Sequence, residues 1–179
     1  MLRFCLFLLL TINAQAFAGN EIPELIPAED IKVTGSANPY EAKVPILLIK
    51  CSDYRLNDET DDFMQKRGLK DKYEEVSMQG GSLGIDHVLR PELKDAFLRQ
   101  LEDLKNLRDI KMVILMDHVN CDIFKNVHGA KHTMSYEAEV ELHSHHLKNV
   151  KAMILEKYPD MKVEMLLMSL DGSVDTIKD

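Results

Sequence analysis

Tryptophan is absent from this sequence, and phenylalanine and tyrosine together make up only 6% of its 179 residues. Cysteine occurs three times, too rarely for a disulfide framework to carry the fold. Bases are short as well: 22 Lys and Arg stand against 30 Asp and Glu, giving a formal charge of −8, and nowhere do five bases run together. So acidic a chain is not a non-specific nucleic-acid binder, because that affinity comes from neutralising phosphates. With 8 glycines and 6 prolines it is neither collagen-like nor a low-complexity chain. Its one leader-like apolar run sits at the amino terminus, which excludes a multi-span membrane protein. What remains, 45% apolar and 29% charged, is the composition of one ordinary globular domain.

Arg3 gives the amino terminus a short positive start, and residues 4–12 are apolar almost throughout. Ala16 and Ala18 then place small residues at the two positions that a signal peptidase reads. The apolar run is about half the ~20 residues that span a bilayer. Residues 1–18 are therefore read as a secretory signal cut after Ala18, with an uncleaved anchor as the alternative. Cleavage removes Cys5, leaves Cys51 and Cys121, and sends the mature chain to the periplasm or the exterior with no membrane contact. Residues 19–43 hold three prolines, Gly35 and Ser36 without a sustained period. They are read as an extended arm, and 44–179 as the folded domain.

Within that domain the apolar spacing alternates between two kinds. Residues 44–49 form a continuous apolar run, the mark of a strand covered on both faces. A short helix is predicted over about 61–67, stopped by Gly68, and a second strand over 73–78, ended by Gly80 and Gly81. Pro91 opens a helix whose Leu93, Phe97, Leu101 and Leu104 share one face. A third strand follows over 111–116. Ser135 caps a long helix with Tyr136, Val140, His143, Leu147, Val150 and Ile154 on one face, ended by Pro159. The last strand is predicted over 163–170, turned by Asp171 and Gly172. Strands alternating with helices predict an α/β fold, a mostly parallel sheet with helices on both faces.

Both mature cysteines fall at the end of a predicted strand, in Cys51-Ser52-Asp53-Tyr54-Arg55 and His118-Val119-Asn120-Cys121. In a parallel sheet with right-handed crossovers the two strands end on one edge, where open α/β sheets bind ligands. Two thiolates and an imidazole there make three ligands of the kind zinc takes, with a fourth position open. Two cysteines in a secreted protein also commonly pair as a disulfide. A disulfide has no need of the neighbouring Asp53, Arg55 and His118. The residues after Cys121 read as the start of a short helix, whose positive end favours a thiolate.

These paired motifs resemble the β-class carbonic anhydrases, which carry Cys-x-Asp-x-Arg after the first core strand and His-x-x-Cys after the third. The resemblance extends over about 44–177. It implies a zinc ion held by Cys51, His118 and Cys121, an Asp53–Arg55 dyad beside the metal, and in some members Asp53 as a fourth ligand that shuts the site. It also implies reversible hydration of carbon dioxide to bicarbonate by a metal-bound hydroxide that Asp53 orients, and a homodimer. Gly80 and Gly81 would let backbone N–H groups approach the bound anion. The chain departs from the family at Asp117 and Asp122, where glycines are usual, and at residues 78–82, which replace an Arg-Asn-x-Gly-Asn loop. Its amino-terminal arm is short, and the segment between the motifs is somewhat long. The alternatives are a non-catalytic zinc-binding homologue, or a hydrolase of another small electrophile such as carbonyl sulfide or carbon disulfide.

The remaining histidines read more simply. His143 lies on the apolar stripe of the long helix and His146 points elsewhere, so His143, His145 and His146 are read as core or surface rather than as a second metal site. His128 and His132, at i and i+4, are placed to bind a metal only if that stretch is helical, which Gly129 opposes. His87 is read as solvated, and Met165 and Met168 as core rather than a copper site.

Overall fold

The computed structural model describes residues 42–87, 90–130 and 135–179. The signal segment 1–18 lies outside these residues, as do the arm up to residue 41 and His132.

Five strands form the sheet: β1 (Ile46–Cys51), β2 (Tyr73–Met78), β3 (Met112–His118), β4 (Lys162–Met168) and β5 (Val174–Thr176). Five helices connect them: α1 (Asn57–Lys66), α2 (Ser82–Asp86), α3 (Pro91–Arg108), α4 (Asp122–His128) and α5 (Tyr136–Lys157). The order is β2-β1-β3-β4-β5, with every pairing parallel except β4 with β5. The expected α/β architecture is therefore present. The connection from β1 leads outward to β2, whereas that from β3 leads the opposite way to β4. The carboxyl ends of β1 and β3 flank the point where the winding reverses, the ligand-binding crevice of open α/β sheets.

Alternation along the strands feeds two cores. Ile46, Leu48, Met112, Ile114, Met116 and Leu166 pack with Leu56, Met64 and Leu69 on the α1 face. Leu47, Ile49, Val113, Leu115, Met165 and Leu167 pack with Phe97 and Leu101 of α3 and with Leu147, Val150 and Ile154 of α5. Met165 and Met168 are core, as expected. Among the described residues, no helix is long and apolar enough to cross a membrane.

Several boundaries differ from the sequence reading. β1 and β3 begin later and run to Cys51 and His118 themselves. The first helix begins earlier, because Asp53 accepts the Arg55 N–H and caps a 3-10 turn, Tyr54–Leu56, that leads straight into α1. The short α2 and the antiparallel β5 were not expected. β5 exists because Asp171 and Gly172 turn the chain tightly enough for Ser169 N–H to reach Ser173 O at 2.8 Å. Tyr136 was expected on the buried face of α5 but is exposed, and its hydroxyl donates to Asp175. Ser135 does cap that helix, accepting from Ala138 N–H.

Candidate metal centre

The ends of β1 and β3 deliver the site. Cys51 and His118 are the last residues of their strands, and Cys121 is the N-cap of α4. Between them Asn120 adopts the left-handed conformation (φ 59°) that turns the chain from strand to helix. The two sulfurs and an imidazole nitrogen come within 4.8 Å of one another, and all three residues are buried. Cys51 and Cys121 are free thiols with their Sγ atoms 4.0 Å apart, not a disulfide. His118 Nδ1 donates to Val119 O at 2.8 Å, which leaves Nε2 as a lone pair. That Nε2 is buried with no hydrogen-bond partner among the described residues.

Charge is arranged accordingly. The Cys51 thiol is pushed down to about 4, first by the hydrogen bond from Cys121, against burial, with further help from His118 and the Gly80 N–H. The same hydrogen bond pushes Cys121 up, and burial adds to it. Without a metal the pair thus shares one negative charge. Burial opposes protonation of His118, but the nearby Cys51 sulfur outweighs it and raises its pKa.

Asp53 stands beside the three donors rather than among them. Arg55 Nη2 donates to Asp53 Oδ2 at 2.6 Å, and Arg55 Nε reaches Oδ1 at 3.0 Å. These bonds hold the carboxyl down to about 2. Its Oδ2 lies 3.7 Å from His118 Nε2. Arg55 Nη2 also donates to Asn120 O at 3.1 Å, so one guanidinium ties the β1 motif to the β3 motif. A cavity of about 10 Å³, room for little more than one water, adjoins Cys51 and His118 and is lined also by Lys50, Thr60, Asp117 and Met168.

The two departures at aspartate have different meanings. Asp122 is exposed, 3.8 Å from Lys125. Asp117 is buried and accepts from Ser82 N–H at 2.8 Å, from Ser82 Oγ and from His143 Nδ1 at 3.0 Å. A Cβ at Gly81 (φ 54°) would overlap Asp117 Oδ1, so aspartate and glycine fit one another here. Gly80 N–H, in the same turn, donates to Cys51 Sγ at 3.4 Å. The sequence reading missed this network, although strand alternation places Asp117 on the face of Val113 and Leu115, opposite α5. His143 is core, as expected. His146 does not point away: it is 7% exposed and meets Asp86 and His128.

No family model matches the chain. It is 36% identical over 131 residues to an uncharacterized protein of Rickettsia bellii, spanning 73% of this chain and 80% of that one. An uncharacterized protein of Rickettsia conorii is likewise 36% identical over 131 residues, 73% of this chain and 70% of that one. The chain belongs to the family of these rickettsial proteins. Among solved structures, carbonic anhydrase from Streptococcus mutans is similar with a TM-score of 0.52 at 13% identity, over 81% of this chain and 88% of that one. At that identity the likeness is one of fold.

Proposed function

We propose that this family member is an exported, zinc-dependent carbonic anhydrase that converts carbon dioxide and water reversibly to bicarbonate and a proton. The observation that carries the reading is the lone pair of His118 Nε2, buried without a partner and facing two cysteine sulfurs. An unsatisfied buried polar atom costs roughly 1–3 kcal/mol, which a bound ion removes. Tetrahedral zinc, with bonds of ~2.3 Å to sulfur and ~2.0–2.1 Å to nitrogen, needs donors spaced about as these are. The fold likeness to a carbonic anhydrase supports the same reading.

Bound zinc supplies a Lewis acid that brings the acidity of water towards neutrality. The chain's own residues do the rest. Asp53 stays ionised under Arg55 and accepts a hydrogen bond from the attacking water, keeping the attacking lone pair turned to the substrate. Residues 1–18 act as the export signal, and two copies pair as a dimer.

Elemental analysis of tag-free protein is expected to give near one zinc per chain. Stopped-flow assay of the zinc-loaded chain is expected to show carbon dioxide hydration that quickens as pH rises. Cys51→Ser loses both. Asp53→Asn keeps zinc and loses on the order of 10²-fold in rate. Equal hydration rates for the zinc-loaded chain and Cys51→Ser overturn the carbonic anhydrase reading and leave the non-catalytic or carbon disulfide alternatives. Recovery of a chain beginning at Gly19 from the periplasm tests export.

A further inference from the structure

Phe124 packs with Cys51, Leu83 and Cys121 in one apolar cluster, and its ring also lies against His128, His143 and His146. Beyond it, outside the cysteine site, two imidazoles meet nitrogen to nitrogen. His146 Nε2 and His128 Nε2 are 3.0 Å apart. On its other side His146 Nδ1 lies 2.8 Å from Asp86 Oδ2, which also accepts from Asn149 Nδ2 at 2.8 Å. We propose that His128 and His146 form a second metal site, for a divalent ion of the copper–nickel class that prefers imidazole.

A histidine that ligates a metal characteristically donates its other ring N–H to a carboxylate, which fixes the tautomer and aims the free nitrogen. Asp86 does this for His146. The Nε2 of His146 is thereby left as a lone pair, which in the ion-free protein accepts from His128 Nε2; with its proton moved to Nδ1, His128 would present a second. Two nitrogens ~2 Å from one ion stand about 3 Å apart when they take neighbouring corners of a square. Tetragonal nitrogen and oxygen coordination is the preference of Cu(II) and Ni(II). Burial lowers the His146 pKa, so the ring is neutral and able to ligate. His128 occupies the last turn of α4, the carbonyl end, where positive charge is favoured. His128 is half-buried. Such an ion would join α4, which starts at Cys121, to α5 and, through Asp86, to α2.

The alternative is a plain hydrogen bond between the two rings. Zinc-saturated, tag-free protein titrated with Ni(II) by calorimetry distinguishes them. The site predicts one further ion of micromolar affinity, lost in His128→Gln and in His146→Gln with zinc content unchanged. Asp86→Asn is expected to weaken it about 10- to 100-fold. His145→Gln, on an exposed neighbour, is expected to leave it unchanged. Nickel uptake should persist in Cys51→Ser, so failure of the zinc reading and failure of this one are separable. Absence of the further ion, or its retention in His128→Gln, overturns the proposal. His128→Gln carries the test even where the buried His146→Gln does not fold.

Discussion

His118 and His143 are both buried, both engage Nδ1, and both keep an Nε2 that meets no hydrogen-bond partner among the described residues. They differ in what lies on either side of the ring. His118 Nδ1 meets a neutral backbone carbonyl, and its Nε2 faces two sulfurs with the Asp53 carboxylate at the edge. His143 Nδ1 meets the Asp117 carboxylate, and its ring stacks on Phe124 with centroids 3.7 Å apart. The first ring is surrounded by other electron-pair donors, an arrangement able to hold an ion. The second has an aromatic face beside it, and its contribution is to hold a buried carboxylate in place. Burial and a missing partner do not by themselves make a ligand; the chemistry of the neighbours does.

The largest effect should separate these two rings. His118→Ala removes one donor of three and is expected to abolish zinc retention. His143→Phe keeps the ring against Phe124 but leaves Asp117 short of a partner. It is expected to lose roughly 1–3 kcal/mol of stability while keeping zinc, read by urea unfolding beside elemental analysis. Loss of zinc from a folded His143→Phe protein would place His143 within the centre and erase the contrast.

The cysteine–histidine cluster of this comparison was legible in the sequence, and the bracing side was not. Cys51, Asp53, Arg55, His118 and Cys121 sit in two short motifs, each at a strand end, so locating the strands locates the residues. The Ser82–Asp117–His143 network joins three separate elements, α2, β3 and α5, and no local spacing links them. One sign was available: an aspartate at a position that strand alternation assigns to the core requires a buried partner. The strands of the sheet were readable because apolar runs of this length have few other uses. β5 was not, since three residues paired antiparallel at an edge carry no period of their own.

The fit between Asp117 and the Gly81 turn gives a smaller, sharper test. Alanine at position 81 meets two costs: a backbone at φ 54° and ψ −120° that favours glycine, roughly 1–3 kcal/mol, and overlap with Asp117 Oδ1. In an Asp117→Gly background the second cost vanishes. A double-mutant cycle is therefore expected to show a coupling of about 0.5–3 kcal/mol between the two positions. Strict additivity would mean that the turn and the carboxylate adjust independently, and that the aspartate does not brace the glycine loop beside Cys51.

The smallest effect concerns pH, and here His118 contrasts with His146. In metal-free protein His118 is raised, so its stabilisation is present below its ordinary 6.5 and fades as pH rises. His146 is lowered, chiefly by burial, although Asp86 at Nδ1 and the more distant Asp117 oppose that shift; His145 adds to it, and His128 faces Nε2. The unfolded chain then takes up the proton first as pH falls through 6.5, so the stabilisation from neutral His146 is complete above that value and is lost on acidification. Urea midpoints measured between about pH 8 and pH 5 with a chelator present should show the gap between wild type and His146→Gln narrowing as pH falls, with the titration set by the ordinary histidine range. A gap that stays constant across that range would mean that burial does not disfavour the charged ring, and would remove the contrast between the two histidines.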